Sequence, residues 1–538
     1  MQQLTALDVM FSSLDTETTN GVLGGLVLHE PPTDGRKAAD AAFMRQRFAE
    51  RLPYLPPLHR ELVKVPIGID HDYLGQPDRI DLLEHIRSIT LPAPGTRDQL
   101  AAEVSRIMST SLPTGRPLWD YTVIEGMEDG SVAHLLRIHH LVIDGGSMPT
   151  LWDALSDEPT QPLEKLADSS HPEPRYGTGE MLVRELGGVL AKPAQFAAFQ
   201  AKFLAWIAAQ TKESGPLAPA ALPLRIALPG GLARPAQALL NPALRERGIP
   251  EIQPYIPTLQ APKTPFNNRV TAQRTFVFAD LPLAQFRDTG KALGGTINDV
   301  VLGVCAGALR RYLIENHVPA DEPLIVCVPV SIRTGHEKTK WANYVHMIFA
   351  PIPTHLDDPL ARVKAASTAV KSAKGNFDAM PTSLIREASR FIPSAIFNVM
   401  VRAMVKLPDS LSKGPWNVVV SNVRGPSTAA YMDGVKVLGY WPASFLSVGG
   451  GINITLQSYT DRICFGFMGA PEQVGDLRPI IGYMTDALAE TVAAAAATTG
   501  RADQTSAAGR PGKRTPNRPA PGRARLAAVP PSAAGGSS

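Results

Sequence analysis

The chain has 538 residues, 44% of them hydrophobic and 19% charged, which is the composition of a globular protein long enough to bury sizeable cores. Its formal net charge is +3, and because residues 501–538 contribute seven basic side chains against one acidic one, the remainder is close to neutral, which excludes an extended basic surface for nucleic acid. The 3 cysteines are far apart and odd in number, which excludes a disulfide scaffold and a CxxC-type zinc site.

The first 180 residues mix helical and strand periodicity. Helices are expected over residues 38–52 and 97–108, and a strand over residues 132–140 leads into a helix over residues 149–155. The N-terminus has neither a basic region nor an apolar one, and no run of 18 apolar residues occurs. Neither a secretory signal nor a transmembrane helix is therefore expected.

The middle of the chain has the composition of a connection between domains. Residues 180–212 are apolar and helix-prone, with an interruption expected at Pro193. Eleven prolines follow between residues 211 and 265, where long regular elements are not expected.

The second half again mixes the two periods. It predicts strands over residues 274–278, 324–330, 418–421 and 463–468, and helices over residues 297–313 and 474–495. The tail has almost no large apolar residues and is expected to be disordered. The sequence thus predicts an α+β chain with a first domain over 1–180, a helical and proline-rich crossover over 181–265, a second domain over 266–497 and a disordered basic tail over 498–538.

The strongest chemical signal is the segment HHLVIDG, which begins with His139 and His140 and ends with Asp144 and Gly145. It lies where a predicted strand ends and a helix follows. Adjacent strand residues point to opposite faces, so one histidine can enter a cleft while the other packs behind it, which argues against a shared metal ion. The aspartate and glycines suit a sharp turn, in which Asp144 can orient an imidazole or anchor the loop.

This segment favours acid–base chemistry. A neutral imidazole can accept the proton of a hydroxyl, and no G-x-S-x-G nucleophile elbow occurs nearby. Direct attack by a bound alcohol, deprotonated by histidine, is therefore the simplest mechanism. The motif taken alone also fits a pair of structural histidines beside a turn.

Weaker signals lie elsewhere in the chain. Residues 295–301, GTINDVV, open a long apolar helix that Thr296 or Asn298 can cap. Alternatively, Asn298 faces the histidine cleft from the second half as an amide donor that stabilises an oxyanion. Residues 116–119, RPLW, and 421–426, SNVRGP, fit packing and a structural loop respectively.

In combination these segments resemble the bacterial wax ester synthase/acyl-CoA:diacylglycerol acyltransferase family, a branch of the HHxxxDG acyltransferases. The resemblance runs from about residue 4 to about residue 490 and includes the blocks LTALD, LPAPG, PLW, HHLVIDG, TPFN, NDVVL, VPVSIR and SNVRGP in order. It implies two chloramphenicol-acetyltransferase-like domains joined by a crossover.

The resemblance also implies roles for individual residues. His140 would be the general base that deprotonates the acceptor hydroxyl, while His139 and Asp144 would shape and orient the site and Gly145 would leave room for the substrates. Asn298 and Asp299 would contribute from the second half, by donating to the oxyanion or by fixing the domain interface. Coenzyme A would leave as the thiol, with no cofactor and no metal required.

The implied substrates are a long-chain acyl-CoA and either diacylglycerol or a long-chain alcohol. A near-neutral, apolar body suits a cytoplasmic enzyme bound peripherally to the inner face of the membrane or to lipid droplets, with residues 180–226 as the candidate contact. Two alternatives stay open: a condensation-type acyltransferase that uses carrier-bound thioesters, and a catalytically weak lipid-binding protein that coats lipid stores.

Overall fold

The computed structural model describes residues 1–13, 15–32, 39–68, 70–165, 175–214, 261–331, 341, 343, 345–378, 416–447 and 449–508. Residues 215–260 of the proline-rich crossover and 509–538 of the basic tail lie outside these residues, so the predictions made for those parts stay predictions, as do the domain boundaries. Residues 498–508, which were predicted to be disordered, instead continue the last helix.

The described residues alternate between helices and strands along the whole chain. The helices are α1 Ala6–Ser12, α2 Ala41–Arg51, α3 Leu82–His85, α4 Arg97–Met108, α5 Met148–Leu155, α6 Thr178–Ser214, α7 Leu283–Ala292, α8 Ile297–Glu315, α9 Pro359–Asp378, α10 Pro471–Val474 and α11 Pro479–Ala508. The strands are β1 Gln2–Gln3, β2 Val22–His29, β3 Glu61–Val63, β4 Tyr73–Gly75, β5 Ile86–Thr90, β6 Trp119–Glu125, β7 Val132–His139, β8 Thr275–Pro282, β9 Leu324–Ser331, β10 Val345–Ile352, β11 Val418–Val423, β12 Tyr431–Met432, β13 Val435–Ala443, β14 Ile452–Tyr459 and β15 Arg462–Gly469.

The first large sheet contains strands from both halves of the chain. Its six strands run in the order β12-β13-β2-β7-β6-β5. Strand β7, which ends at His139, lies between β2 and β6 and is antiparallel to both. Strand β13 belongs to the second half in sequence, yet it pairs with β2. Because β13 is a member of this sheet, the first half reaches its full sheet only with the second half in place.

The second large sheet has the order β10-β9-β11-β14-β15-β8. Strand β14 shows the alternation that a sheet with two different faces requires. Its apolar side chains Ile452, Ile454 and Leu456 belong to the core that also contains most of α8. The alternate residues Asn453 and Gln457 are polar and buried on the other face. Helices α8, α9 and α11 pack against one another and form a layer on this sheet.

Most predicted elements are confirmed, with shifts at the ends. Helix α4 has the predicted bounds, and α6 is a single helix without the expected break at Pro193. The last helix begins five residues later than predicted, at Pro479. Gly475 ends the preceding short helix in a left-handed conformation with φ 59°, and proline favours the first position of the helix that follows.

The predicted packing role of the PLW segment is visible at Trp119. Its ring is fully buried and stacks between Phe48, at 5.0 Å between centroids, and His85, at 4.2 Å. Its indole Nε1 donates to the carbonyl of Leu58 at 2.8 Å. The residue therefore fixes β6 against the helical layer, and β6 in turn aligns β7.

A buried ion pair links the same two strands. The guanidinium of Arg137 on β7 donates to both carboxylate oxygens of Asp120 on β6, at 2.9 and 2.6 Å. Its remaining nitrogen donates to the carbonyls of Ile107 and Thr110, both at 2.6 Å, which connects α4 to the sheet. Both charged side chains are almost fully buried, so removal of one partner leaves a costly unpaired charge.

No single helix among the described residues is long and apolar enough to cross a membrane. The pair α7 and α8 together has the length and apolar composition of a membrane span, but the two helices are bent by 105° relative to each other.

The ion pair gives a test of the fold. Replacing Asp120→Ala should lower the free energy of unfolding by about 3–5 kcal/mol, because Arg137 stays buried without its counter-charge. Glu180→Ala, which breaks the exposed pair with Arg184 on α6, is the control and should leave it nearly unchanged, because a solvent-exposed pair contributes little. Urea unfolding followed by circular dichroism measures both, and equal effects of the two substitutions would contradict the stabilising role.

Candidate active site

The histidine segment lies where strand β7 ends and the chain turns into α5. The backbone N–H of His140 donates to the carbonyl of Gly21, just before β2, at 2.7 Å. Gly21 allows this close approach, since a Cβ there would lie 3.1 Å from the ring of His139, a tighter contact than most Cβ atoms make. The two histidines are therefore fixed at one edge of the first sheet, and both are buried.

The ring of His140 is enclosed by side chains from three other segments. Phe11 of α1 stacks on it with a centroid distance of 3.8 Å and an angle of 11°. Phe445, in the loop after β13, meets it edge-on at 5.7 Å. Its Nδ1 lies 2.9 Å from Oδ1 of Asn343, which precedes β10. The second half of the chain thus supplies two of these three side chains.

This enclosure changes the acidity of His140. Burial lowers the pKa of its imidazole to about 4, although the negative charge of Asp144 and the hydrogen bond with Asn343 act in the opposite direction. Because the pKa lies below neutrality, the ring is uncharged at pH 7 and can accept a proton.

His139 is held by a different set of groups. Its Nδ1 accepts the backbone N–H of Leu141 at 3.0 Å, so the ring proton is on Nε2. That Nε2 donates to the carboxylate of Asp15, with distances of 3.1 and 3.0 Å to its two oxygens. Burial would raise the pKa of Asp15, but the hydrogen bond from His139 and the one from the Gly21 N–H lower it below the usual value. Both ring nitrogens of His139 are therefore occupied.

Asp144 anchors the turn that follows. Its Oδ1 accepts the backbone N–H and the hydroxyl of Ser147, both at 2.9 Å, and it caps the 3₁₀ turn Gly145–Ser147. Of the two roles that the sequence left open, the geometry shows loop anchoring. A Cβ added at Gly145 would meet no atom of the described residues within 4 Å, so these residues leave space beside the turn at this glycine.

The two predicted residues of the second half have separate surroundings. Thr296 is the N-cap of α8, and Asp299 completes a capping box by accepting the backbone N–H of Thr296 at 2.8 Å and its hydroxyl at 2.9 Å. Asn298 accepts a hydrogen bond on Oδ1 from Asn422 of β11 at 3.3 Å. Asp299 thus stabilises the start of α8, whereas the side chain of Asn298, also on α8, contacts the end of β11.

Sequence reasoning missed Phe11, Asp15, Asn343 and Phe445. The segment LTALD drew attention to the start of α1, but nothing in it singled out Phe11 or Asp15, which come shortly after it. Asn343 and Phe445 lie outside any helix or strand, where periodicity gives no signal. Their proximity to His140 follows from how the two halves pack.

No metal centre is visible in this part of the chain. Among the described residues, no group of three or more His, Cys, Asp and Glu side chains is arranged to hold a metal ion.

Comparison with known proteins identifies the family. Residues 4–301 match the sequence profile described as the wax ester synthase/diacylglycerol acyltransferase catalytic domain. The chain belongs to this family. Residues 341–491 match the C-terminal domain of the same family, so the resemblance predicted from the ordered sequence blocks is confirmed.

Curated relatives of this acyltransferase cover nearly its whole length. It is 29% identical over 491 residues to a probable diacylglycerol O-acyltransferase of Mycobacterium tuberculosis, which covers 89% of this chain and 96% of that protein. It is 28% identical over 490 residues to O-acyltransferase WSD of Acinetobacter baylyi, which covers 90% and 96% respectively. The prediction that the chain is an O-acyltransferase is confirmed by these matches.

Solved structures confirm the predicted α+β fold with two chloramphenicol-acetyltransferase-like units. The wax ester synthase/diacylglycerol acyltransferase of Marinobacter aquaeolei is 24% identical and superimposes with a TM-score of 0.61, covering 92% of this chain and 100% of that one. The first condensation domain of the calcium-dependent antibiotic synthetase gives a TM-score of 0.52 at 15% identity, covering 92% and 96% respectively. At these identities both show the fold alone.

The capping box gives a test that separates the two neighbouring residues of α8. Asp299→Ala should lower the free energy of unfolding by about 1 kcal/mol, since it removes the acceptor for two donors of Thr296. Asn298→Ala is the matched control and should change it by less than about 0.5 kcal/mol. Thermal unfolding measures both, and an Asp299→Ala protein as stable as the control would show that the capping box contributes nothing.

Proposed function

We propose that this acyltransferase moves the acyl group of a long-chain acyl-CoA to the hydroxyl of diacylglycerol, and that long-chain alcohols are a second class of acceptor. The observation that carries the proposal is the buried, uncharged ring of His140 at the meeting of the two halves. The family assignment supplies the reaction class, and the ring supplies the base that the reaction needs.

The reaction proceeds by direct attack. His140 accepts the proton of the acceptor hydroxyl as its oxygen bonds to the thioester carbonyl carbon. The tetrahedral intermediate then collapses, the carbon–sulfur bond breaks, and the thiolate of coenzyme A takes the proton from His140. Ser147, the serine that follows the histidine segment, donates its hydroxyl to Asp144 and stabilises the turn, which supports attack by the substrate rather than by a serine.

The neighbouring residues maintain this geometry. His139 and Asp15 tie the end of β7 to the segment before β2. Asp144 holds the turn that brings Gly145 beside the site. These are positioning roles, because the described hydrogen bonds connect protein groups to one another.

Asn298 is the proposed donor to the oxyanion from the second half. Its Oδ1 is directed to Asn422, so its Nδ2 is the end that can donate to a developing negative charge. Asn298 contacts the second sheet at the edge where β11 ends and β10 begins. Asn343, which precedes β10, lies at the same edge.

Removal of the base tests the proposed function. Purified protein is incubated with labelled palmitoyl-CoA and either diacylglycerol or hexadecanol, and the products are separated by thin-layer chromatography. His140→Ala should reduce product formation by about 10²–10⁴-fold, the range expected on loss of a general base.

The control is His317→Asn, an exposed histidine whose φ of 57° asparagine tolerates; it should leave the rate unchanged. A His140→Ala protein with the wild-type rate would refute the role of His140 as the base. A wild-type protein that binds labelled lipid but forms no product would favour the lipid-binding alternative.

We further propose that the enzyme works in the cytoplasm at the surface of the inner face of the membrane or of lipid droplets. Its acceptors are lipids that partition into such surfaces. Helix α6 exposes Val183, Leu186 and Leu190, with 70%, 46% and 81% of their surface accessible. Their spacing of three and four residues puts them on one face of the helix, and such a face can insert into the headgroup region.

Charged substitutions on this face test the association. Val183→Glu combined with Leu190→Glu should reduce binding to phospholipid vesicles containing diacylglycerol by about tenfold or more, since each buried apolar side chain contributes about 1.5–3 kcal/mol. Ile314→Glu, on the exposed side of α8, is the control. Co-sedimentation gives the bound fraction, and a double variant that binds like the control would exclude α6 as the contact.

A further inference from the structure

We propose that Asn343 is a positioning residue, which holds His140 in the tautomer that leaves Nε2 free to accept the substrate proton. The inference rests on the proposed function of His140 as the base. It adds a residue from the second half of the chain that does not touch the substrates but decides which ring nitrogen is basic.

The orientation of the Asn343 side chain is fixed by the acceptors around its Nδ2, which include the carbonyl of Leu141 at 3.4 Å. Its Nδ2 lies 2.5 Å from the carbonyl oxygen of His140 and 3.2 Å from Oδ1 of Asp8. A carbonyl and a carboxylate can only accept hydrogen bonds. The opposite orientation of the amide would bring its own oxygen against both, so Nδ2 must be on this side.

The carboxylate of Asp8 is itself held in place. Its Oδ2 accepts the backbone N–H of Thr5 at 2.9 Å and the Thr5 hydroxyl at 2.7 Å, in the capping box of α1. Its Oδ1 is thereby directed to Asn343. The amide orientation is thus determined by α1 and by the backbone of the histidine segment.

The proton position on His140 follows from that orientation. With Nδ2 directed to Asp8 and the His140 carbonyl, Oδ1 of Asn343 faces Nδ1 of the ring at 2.9 Å. An amide oxygen accepts, so Nδ1 must carry the hydrogen. In a neutral imidazole the other nitrogen then has the free lone pair, and Nε2 becomes the base.

Ring rotation is constrained by the same contacts. Phe11 stacks on one face and Phe445 meets the ring edge-on, which limits tilting. A 180° flip of the ring in its plane would replace Nδ1 by a carbon and lose the hydrogen bond with Asn343. The amide therefore holds the ring in this orientation and favours the tautomer with the hydrogen on Nδ1, in the same direction as the hydrogen bond between the ring and the backbone of His140 itself.

A neutral partner also suits a base. Among the described residues, the charged or titratable groups around His140 are Asp144 and His139 in its own segment, Asp8 beyond Asn343, and Asp15 beyond His139. A carboxylate in direct contact with Nδ1 would stabilise the imidazolium and raise the pKa of His140. The amide fixes the proton without adding that charge.

The experiment measures kcat, KM and their pH dependence for Asn343→Leu, Asn343→Asp, the His140→Ala reference and the exposed control Asn316→Ala. Asn343→Leu has similar volume but no hydrogen bond and should lower kcat by about 10- to 100-fold, with KM for acyl-CoA changed by less than about threefold. Asn343→Asp should move the acid limb of kcat/KM, expected near pH 4 in the wild type, upward by about one pH unit or more, because the added negative charge raises the pKa of His140.

A spectroscopic measurement keeps the test valid if a variant fails to fold. In wild-type protein with ¹⁵N-labelled histidine, the His140 signals, identified by their loss in His140→Ala, should show a protonated Nδ1 and an unprotonated Nε2. A protonated Nε2, an unmoved acid limb in Asn343→Asp or the wild-type kcat in Asn343→Leu would overturn the proposal. Full activity of His140→Ala would instead refute the proposed function, so the two failures are distinguishable.

Discussion

The ring of His140 is held by both halves of the chain at once, and much of the architecture serves that constraint. The first half supplies the strand end and the stacking ring of Phe11, and the second half supplies Asn343 and Phe445. Strand β13 makes the arrangement possible. It leaves the second half to pair with β2, and the loop after it carries Phe445 to the histidine.

Other contacts fix the two halves against each other close to the same place. The hydroxyl oxygen of Ser105 in α4 accepts the backbone N–H of Phe276 at 2.8 Å, and that of Ser109, which caps the end of α4, accepts the backbone N–H of Arg274 at 2.9 Å. Arg274 in turn donates to the carbonyl of Thr18, at 2.7 Å, in the segment between Asp15 and Gly21. A displacement of one half would therefore disturb the partners of both histidines.

The sequence was sufficient for those features whose signal is local. Helix α4 begins at a capping box of Thr96 and Gln99, and such pairs are readable from residue spacing. The histidine segment was recognisable because its residue types and spacing are unusual. Asn343 and the pairing of β13 with β2 were not predictable, because each depends on a contact with a residue more than 200 positions away, and no local pattern encodes such a contact.

The two adjacent histidines show how hydrogen bonding assigns different roles to the same side chain. In His139 the backbone N–H of Leu141 occupies Nδ1, so the proton is on Nε2 and is donated to Asp15. In His140 the amide oxygen of Asn343 accepts a hydrogen bond from Nδ1, so the ring proton is on Nδ1 and the tautomer is the opposite one. A ring with both nitrogens engaged can only support structure, whereas a ring with Nε2 unengaged can exchange a proton with a substrate. Strand alternation separates the two rings, but it is the partner of each Nδ1 that decides which of them is the base.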